Sequence, residues 1–202
     1  MSDVPWERGW RKGKIGETKE TVLKNLLEFK EVMDKHGVPF MFIMGTLLGA
    51  MREKDFIHWD DDIDLIVLDE HKDTIEMAKV KTEMRERGYW VPIEGMPAYD
   101  NVFIKDGEKI EIWYYERIGD YRVYDCDRCH TIYFEADLVE NQKEIDFLGH
   151  KFIAPLDTTT VLNRIYGPNW MTPIENAPNK ANIVANIGKP FNRKLQRPYN
   201  NI

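Results

Sequence analysis

The sequence has little of what characterises several large classes of protein. Only two of its 202 residues are cysteine, so no disulfide framework supports the fold. It contains no apolar run of transmembrane length, and its first residues lack the apolar core of a signal peptide. Its net charge of -7 argues against a general nucleic-acid binder, which normally carries a basic surface. From these absences we expect a cytoplasmic protein with no transmembrane segment and no general nucleic-acid binding.

The chain has enough apolar sequence to form a core. With 43% hydrophobic and 31% charged residues, its composition is typical of one folded domain, alone or with a small appendage. Hydrophobic periodicity and turn residues predict interspersed helices and strands. We expect helices over residues 18–36, 46–53, 70–87 and 157–166, and strands over residues 39–44, 62–68, 101–105, 109–116 and 121–124. The segment after residue 131 has no clear pattern until the last of these helices.

The most informative segment is a run of aspartates, Asp60-Asp61-Asp62-Ile63-Asp64, which leads directly into the apolar strand predicted over residues 62–68. Because side chains alternate along a strand, Asp62 and Asp64 point to the same face. Carboxylates so close together repel each other unless a cation lies among them. Magnesium prefers oxygen ligands and is usually held by one or two carboxylates and substrate phosphates. The run therefore predicts a Mg2+ or Mn2+ site and phosphoryl transfer, with a solvated acidic loop as the alternative.

Three further features support a phosphate-binding metal site. The Gly45-Thr46 turn begins a short predicted helix, and the free N–H groups of a helix N-terminus can bind phosphate. Arg52 lies between this turn and the aspartates, where a cation can neutralise a diphosphate. A second acidic strand, after a predicted hairpin turn, places Glu111 among apolar neighbours.

Together these residues resemble the signature of the LicD family, which includes phosphocholine transferases of bacterial surface polymers and fukutin-related ribitol-phosphate transferases. The similarity lies in Gly45-Thr46-Leu47-Leu48-Gly49-Ala50, Arg52, Phe56-Ile57 and Trp59-Asp60-Asp61-Asp62-Ile63-Asp64. Segments 36–40 and 162–173 also resemble the family, so the likeness extends over most of residues 18–175. The chain departs from the pattern at Met44, where family members often have glycine.

The resemblance implies an α+β, nucleotidyltransferase-like fold, in which helices flank a mixed β-sheet. In that fold a glycine turn faces two acids on one strand, and a neighbouring strand supplies a third. On this chain the turn is Gly45 and Thr46, the pair is Asp62 and Asp64, and the third acid is Glu111. The turn, with Arg52, would bind the donor, and the three acids would hold Mg2+ or Mn2+. The catalytic domain would span residues 17–175, between an N-terminal extension over 1–16 and a C-terminal tail over 176–202.

The function that this resemblance implies is transfer of a phospho-alcohol group, such as phosphocholine, from a CDP-linked donor to an acceptor hydroxyl, on a glycan or a small molecule. Asp60 or Asp61 would accept the hydroxyl proton. Two alternatives stay open. One is a nucleotidyltransferase that moves a nucleoside monophosphate from a triphosphate to a small molecule or protein. The other is a non-catalytic binding module with the same fold.

One more segment contains residues that bind metals in other proteins. Cys126, Cys129 and His130 could contribute to a zinc site, but the sequence has no second ligand pair at the usual spacing. Two reduced thiols in a loop are the alternative.

Overall fold

A computed structural model of the chain describes residues 14–92, 101–124, 131–175, 191–192, 194 and 196–198. The chain divides into two compact units, Met1–Tyr114 and Tyr115–Ile202. Helices and strands are interspersed along it, so the expected α+β class is confirmed. No helix in the described ranges is long and apolar enough to span a membrane. The segment containing Cys126, Cys129 and His130 lies outside the described residues.

The first unit is built around a central strand. Its helices are α1 (Ile15–Lys35), α2 (Met44–Arg52) and α3 (Ile75–Glu86), and its strands are β1 (Met41–Phe42), β2 (Ile63–Leu68), β3 (Val102–Lys105) and most of β4 (Glu108–Ile118). Strand β2 lies between β1 and β4, and β3 pairs antiparallel with β4. Strand β2 is therefore flanked by strands on both sides. Of the predicted acids, Asp62 directly precedes this strand and Asp64 is its second residue.

The apolar stripe of α1 forms much of the core of this unit. Leu26, Phe29 and Met33 recur at helical spacing and are fully buried. The ring of Phe29 packs edge-on against Phe40 and Phe103, at centroid distances of 5.6 and 5.2 Å. Burying each such side chain contributes about 2 kcal/mol. This packing joins α1 to the segment before β1 and to β3.

The first-unit helices differ from the predicted ones at their ends. Helix α1 begins at Ile15, inside the expected extension, because Ile15 is buried and its N–H donates to the carbonyl of Asp60 at 2.8 Å. The helix predicted over residues 70–87 is divided. A short 3-10 helix over Asp69–His71 comes first, and α3 then begins after Thr74, whose hydroxyl accepts the N–H of Met77 and caps the helix.

The second unit contains the end of β4, followed by β5 (Tyr121–Tyr124), β6 (Ile132–Glu135), α4 (Ala136–Glu140), β7 (Gln142–Phe147), β8 (His150–Pro155), α5 (Thr158–Tyr166), β9 (Phe191–Asn192) and β10 (Arg197–Pro198). Strand β5 pairs antiparallel with β4 and β6, and β7 and β8 form a separate hairpin. The predicted helix near the end of this region is α5, whose cap Asp157 accepts the N–H of Thr160 at 3.0 Å.

Candidate active site

Asp64 is held in place by hydrogen bonds to its carboxylate and to its backbone. It is the second residue of β2 and is 6% exposed. One carboxylate oxygen accepts the N–H of Gly45 and the other accepts the indole N–H of Trp113, each at 3.1 Å. Its own N–H donates to the hydroxyl of Thr46 at 2.9 Å. In this structure Gly45 and Thr46 therefore orient Asp64, and their predicted role in donor binding stays a prediction.

Lys109 joins the acids of two neighbouring strands. Its ammonium lies 2.6 Å from Oδ2 of Asp62 and 2.8 Å from Oε2 of Glu111. Lys109, Glu111 and Trp113 alternate along β4, so they share one face, while Ile110 and Ile112 between them are buried in the core. The structure thus brings Asp62, Asp64 and Glu111 to the same region, and their role as metal ligands stays a prediction.

Asp60 lies against the glycine turn. A Cβ atom built at Gly45 would be 2.1 Å from Oδ2 of Asp60, so only glycine leaves room for this carboxylate in its present position. The loop that carries Asp60 is held by α1, since the N–H of Gly16 donates to the carbonyl of His58 at 2.9 Å. Carboxylate oxygens of Asp60, Asp61 and Asp62 lie within 4.8 Å of one another. Asp60 and Asp61, predicted only as proton acceptors, are therefore candidate metal ligands as well.

The acids of this site repel one another. Burial, together with the charge of Asp62, raises the pKa of Asp60 to about 7. Burial also raises the pKa of Asp64 well above its usual range, and Asp62, Asp60 and Glu111 act in the same direction. The charge of Lys109 opposes both shifts without cancelling them. A further positive charge at this site would relieve the remaining repulsion.

The donor set fits the divalent cation that the sequence predicts. Carboxylate oxygens are the hard ligands that Mg2+ and Mn2+ take. Asp60, Asp61 and Asp62 already lie close enough together to share one ion. Oxygens of Asp62 and Glu111 already hold the cationic group of Lys109. The residues present are thus compatible with a magnesium or manganese site.

Arg52 makes its described contacts beside the acidic group. Its guanidinium pairs with Glu53 at 2.8 Å and lies 6.0 Å from the ring centre of Trp59, and its side chain is 7% exposed. The role of Arg52 in donor binding stays a prediction. The sequence analysis did not identify Lys109 as a residue of the site. Its position two residues before Glu111 on the predicted strand could have placed it on the same face.

The raised pKa of Asp60 predicts that stability without metal falls as pH rises. The unfolded carboxyl loses its proton near pH 3.8 and the folded one near pH 7, so between these values the folded state binds more protons and each rise in pH favours unfolding. The free energy of unfolding of the wild type should therefore fall between about pH 5 and about pH 7.5, and Asp60→Asn should make this fall smaller by on the order of 2 kcal/mol. Urea unfolding in EDTA at about pH 5 and about pH 7.5 measures it.

The exposed Asp34 provides the control for that experiment. Asp34→Asn should keep the wild-type pH dependence, because its side chain is 59% exposed. Equal pH dependence in wild type and Asp60→Asn would contradict the prediction.

Comparisons with known proteins point to one family. The family profile described as LicD/FKTN/FKRP, nucleotidyltransferase domain, matches residues 37–157, more than half of the chain. An uncharacterized protein of Rickettsia typhi is 26% identical over 160 residues, which cover 78% of this chain and 49% of that protein. The lipopolysaccharide cholinephosphotransferase LicD of Haemophilus influenzae is 38% identical over 55 residues, 27% of this chain and 20% of that enzyme. The chain spans about half or less of the length of these relatives.

A comparison of structures finds a crystal structure of the lincosamide antibiotic adenylyltransferase LnuA with bound lincomycin. The alignment has a TM-score of 0.47 at 12% sequence identity and covers 81% of this chain and 94% of that one.

Proposed function

The chain belongs to the LicD/FKTN/FKRP family, and from that premise we propose that it is a metal-dependent transferase. It would move a phospho-alcohol group, phosphocholine or a similar group, from a CDP-linked donor to an acceptor hydroxyl on a glycan. The observation that carries the proposal is the meeting of Asp62, Asp64 and Glu111 beside the glycine turn, with Lys109 among them. Such a set of acids suits a cation-assisted reaction of phosphates.

The proposed metal ligands are Asp62, Asp64 and Glu111. Asp60 and Asp61 are further candidates, because their oxygens lie within 4.8 Å of those of Asp62. A bound Mg2+ or Mn2+ would neutralise charge on the phosphate oxygens, which supplies much of the catalysis in phosphoryl transfer. Gly45 and Trp113 donate to the two oxygens of Asp64, so its carboxylate is oriented before any substrate arrives. Arg52 would contribute positive charge toward the donor.

Asp60 is the general base that we propose. Its carboxylate lies against the glycine turn that would bind the donor, and its oxygens lie within 4.8 Å of those of Asp61 and Asp62, so it is close to both the donor and the proposed metal ligands. It would take the proton of the acceptor hydroxyl. The acceptor oxygen then forms a bond to the phosphorus of the phospho-alcohol group, and the bond to the departing cytidine monophosphate breaks. Asp61, its neighbour in the same group of oxygens, is the other candidate.

The test is a panel of CDP-alcohols and nucleoside triphosphates, incubated with the protein, Mg2+ and simple sugars. Release of cytidine monophosphate from a CDP-alcohol, with the phospho-alcohol group on the sugar, would support the proposal. Release of pyrophosphate from a triphosphate would instead favour a nucleotidyltransferase. Calorimetric binding of one of these compounds without turnover of any would favour a binding module.

Glu111→Gln should lower turnover about a hundredfold while lowering the melting temperature by only about 3 °C. The substitution removes one proposed ligand charge and weakens one contact of Lys109. Activity assays and calorimetric melting measure the two effects.

Glu28→Gln is the matched control. Glu28 pairs with Lys105 at 2.6 Å and is 21% exposed, close to the 22% of Glu111 in its pair with Lys109. It should show a similar change in melting temperature with full turnover. If Glu111→Gln behaves like Glu28→Gln, Glu111 is only an ion-pair partner.

A further inference from the structure

The ammonium of Lys109 lies between two of the proposed metal ligands. Its ammonium contacts Oδ2 of Asp62 at 2.6 Å and Oε2 of Glu111 at 2.8 Å, and its side chain is only 13% exposed. Both partners belong to the proposed metal ligands. A divalent cation bound directly to these oxygens would meet an ammonium within hydrogen-bond distance of the same atoms, and like charges so close together repel strongly.

Lys109 is also a counter-charge for the site. Its ammonium is within hydrogen-bond distance of one acid on either side, Asp62 and Glu111. Losing it would leave the five acids Asp60, Asp61, Asp62, Asp64 and Glu111 without the ammonium that now offsets part of their charge.

We propose, resting on the proposed function and deepening it, that Lys109 is a built-in competitor of the divalent cation. Its ammonium holds Asp62 and Glu111 together before the cation arrives and leaves them when the cation binds. A lysine side chain has a flexible four-carbon stem, so its ammonium can move while the backbone of β4 stays in place. The negatively charged phosphates of the donor offer it a new partner. Cation binding is consequently weak without the nucleotide donor and becomes tighter when the donor is present.

The first experiment measures Mn2+ binding by the electron paramagnetic resonance signal of free Mn2+. Lys109→Met should bind Mn2+ about tenfold or more tightly than the wild type, because the competing charge is gone. Lys105→Met is the matched control, since Lys105 is also a largely buried lysine paired with a glutamate, at 17% exposure and 2.6 Å. It should bind Mn2+ as the wild type does.

A second readout is the melting temperature without and with Mn2+. Without metal, Lys109→Met should melt below the wild type, because its acids lack a counter-charge. When Mn2+ is added to saturation, the melting temperature of Lys109→Met should rise by more than that of the wild type. An ordinary structural lysine would produce the first effect but neither the tighter binding nor the larger gain.

A third measurement needs no substitution. If Lys109 leaves its partners when the cation binds, its amine becomes accessible, and acetylation followed by mass spectrometry should show Lys109 modified several-fold faster with Mn2+ than without. The rate at Lys105 should not change. An unchanged or slower rate at Lys109 would overturn the proposal even if Lys109→Met does not fold.

The outcomes separate this inference from the proposed function. Equal or weaker Mn2+ binding by Lys109→Met, with binding still lost in Asp62→Asn, would overturn the role of Lys109 and leave the metal site standing. If neither the wild type nor Lys109→Met binds Mn2+, even when a CDP-alcohol is present, both the role of Lys109 and the proposed metal-dependent function are wrong. Tighter binding by Lys109→Met and faster acetylation with Mn2+ would support both.

Discussion

Asp64→Asn is expected to lower turnover by at least about a thousandfold while the protein stays folded. Asparagine has nearly the same shape, but it carries no charge for a cation and has only one oxygen. That oxygen can accept the N–H of Gly45 or the indole N–H of Trp113, and the amide NH2 must then face the other donor. The lost hydrogen bond is offset by relief of repulsion from Asp62, Asp60 and Glu111, so stability should change little.

Activity on the best donor of the panel and a circular-dichroism melting curve test this expectation. Asp34→Asn is the control, because Asp34 is an exposed acid of the same unit that pairs with Lys30 on α1. It should retain full activity. If Asp64→Asn keeps its activity with an intact fold, Asp64 is not a metal ligand.

Gly45→Val is expected to abolish donor binding and turnover with a small effect on stability. The first atom of any side chain at this position would lie 2.1 Å from Oδ2 of Asp60, so the Asp60 carboxylate must move away. Asp60 is a side chain at the edge of the acidic group and can rotate, which limits the cost in folding. Its displacement disturbs the acids, and the added bulk obstructs approach of phosphate to the backbone of the turn. Calorimetric titration with the CDP-alcohol measures the loss of affinity.

Gly49→Ala is the informative comparison. At Gly49 an added side chain would clash with backbone atoms, whereas at Gly45 it would clash with a side chain. A Cβ at Gly49 would lie 2.6 Å from the carbonyl oxygen of Asp55 and 3.1 Å from the nitrogen of Ile57. Backbone cannot rotate away, so Gly49→Ala should lose about 2 kcal/mol of stability through strain. Unchanged donor affinity in Gly45→Val would show that the glycine turn is only the start of α2.

Several parts of the fold follow from local sequence alone. The alternating three- and four-residue spacing of Val22, Leu26, Phe29 and Met33 predicts α1, and the apolar run after Asp64 predicts a central strand, because each pattern lies within one element. The hairpin of β7 and β8 was not predicted. Its first strand alternates exposed polar and half-buried residues with few strong strand formers, and Leu148-Gly149 is an unusual turn sequence, with Leu148 at a φ of 49°.

In the candidate site too, local sequence predicts some features and not others. Strand alternation was enough to separate Glu111 from Ile110 and Ile112, because the side-chain period of a strand is a local property. It predicted a shared face for Asp62 and Asp64 from a strand beginning at Asp62, but β2 begins at Ile63, and Asp62 belongs to the loop before it. It could not show that the ammonium of Lys109 lies between Asp62 and Glu111, which depends on how β2 and β4 pair.

The sequence by itself determined which groups are available, because the acids and the glycine turn are encoded within short segments. Tertiary structure alone decided how these groups are charged and held. The pKa of Asp60 is raised because loop, helix and strand bury it beside Asp62, and Asp64 is oriented by a glycine N–H and an indole from different elements. Burial and through-space contacts depend on residues far apart in the chain, and no local pattern contains them.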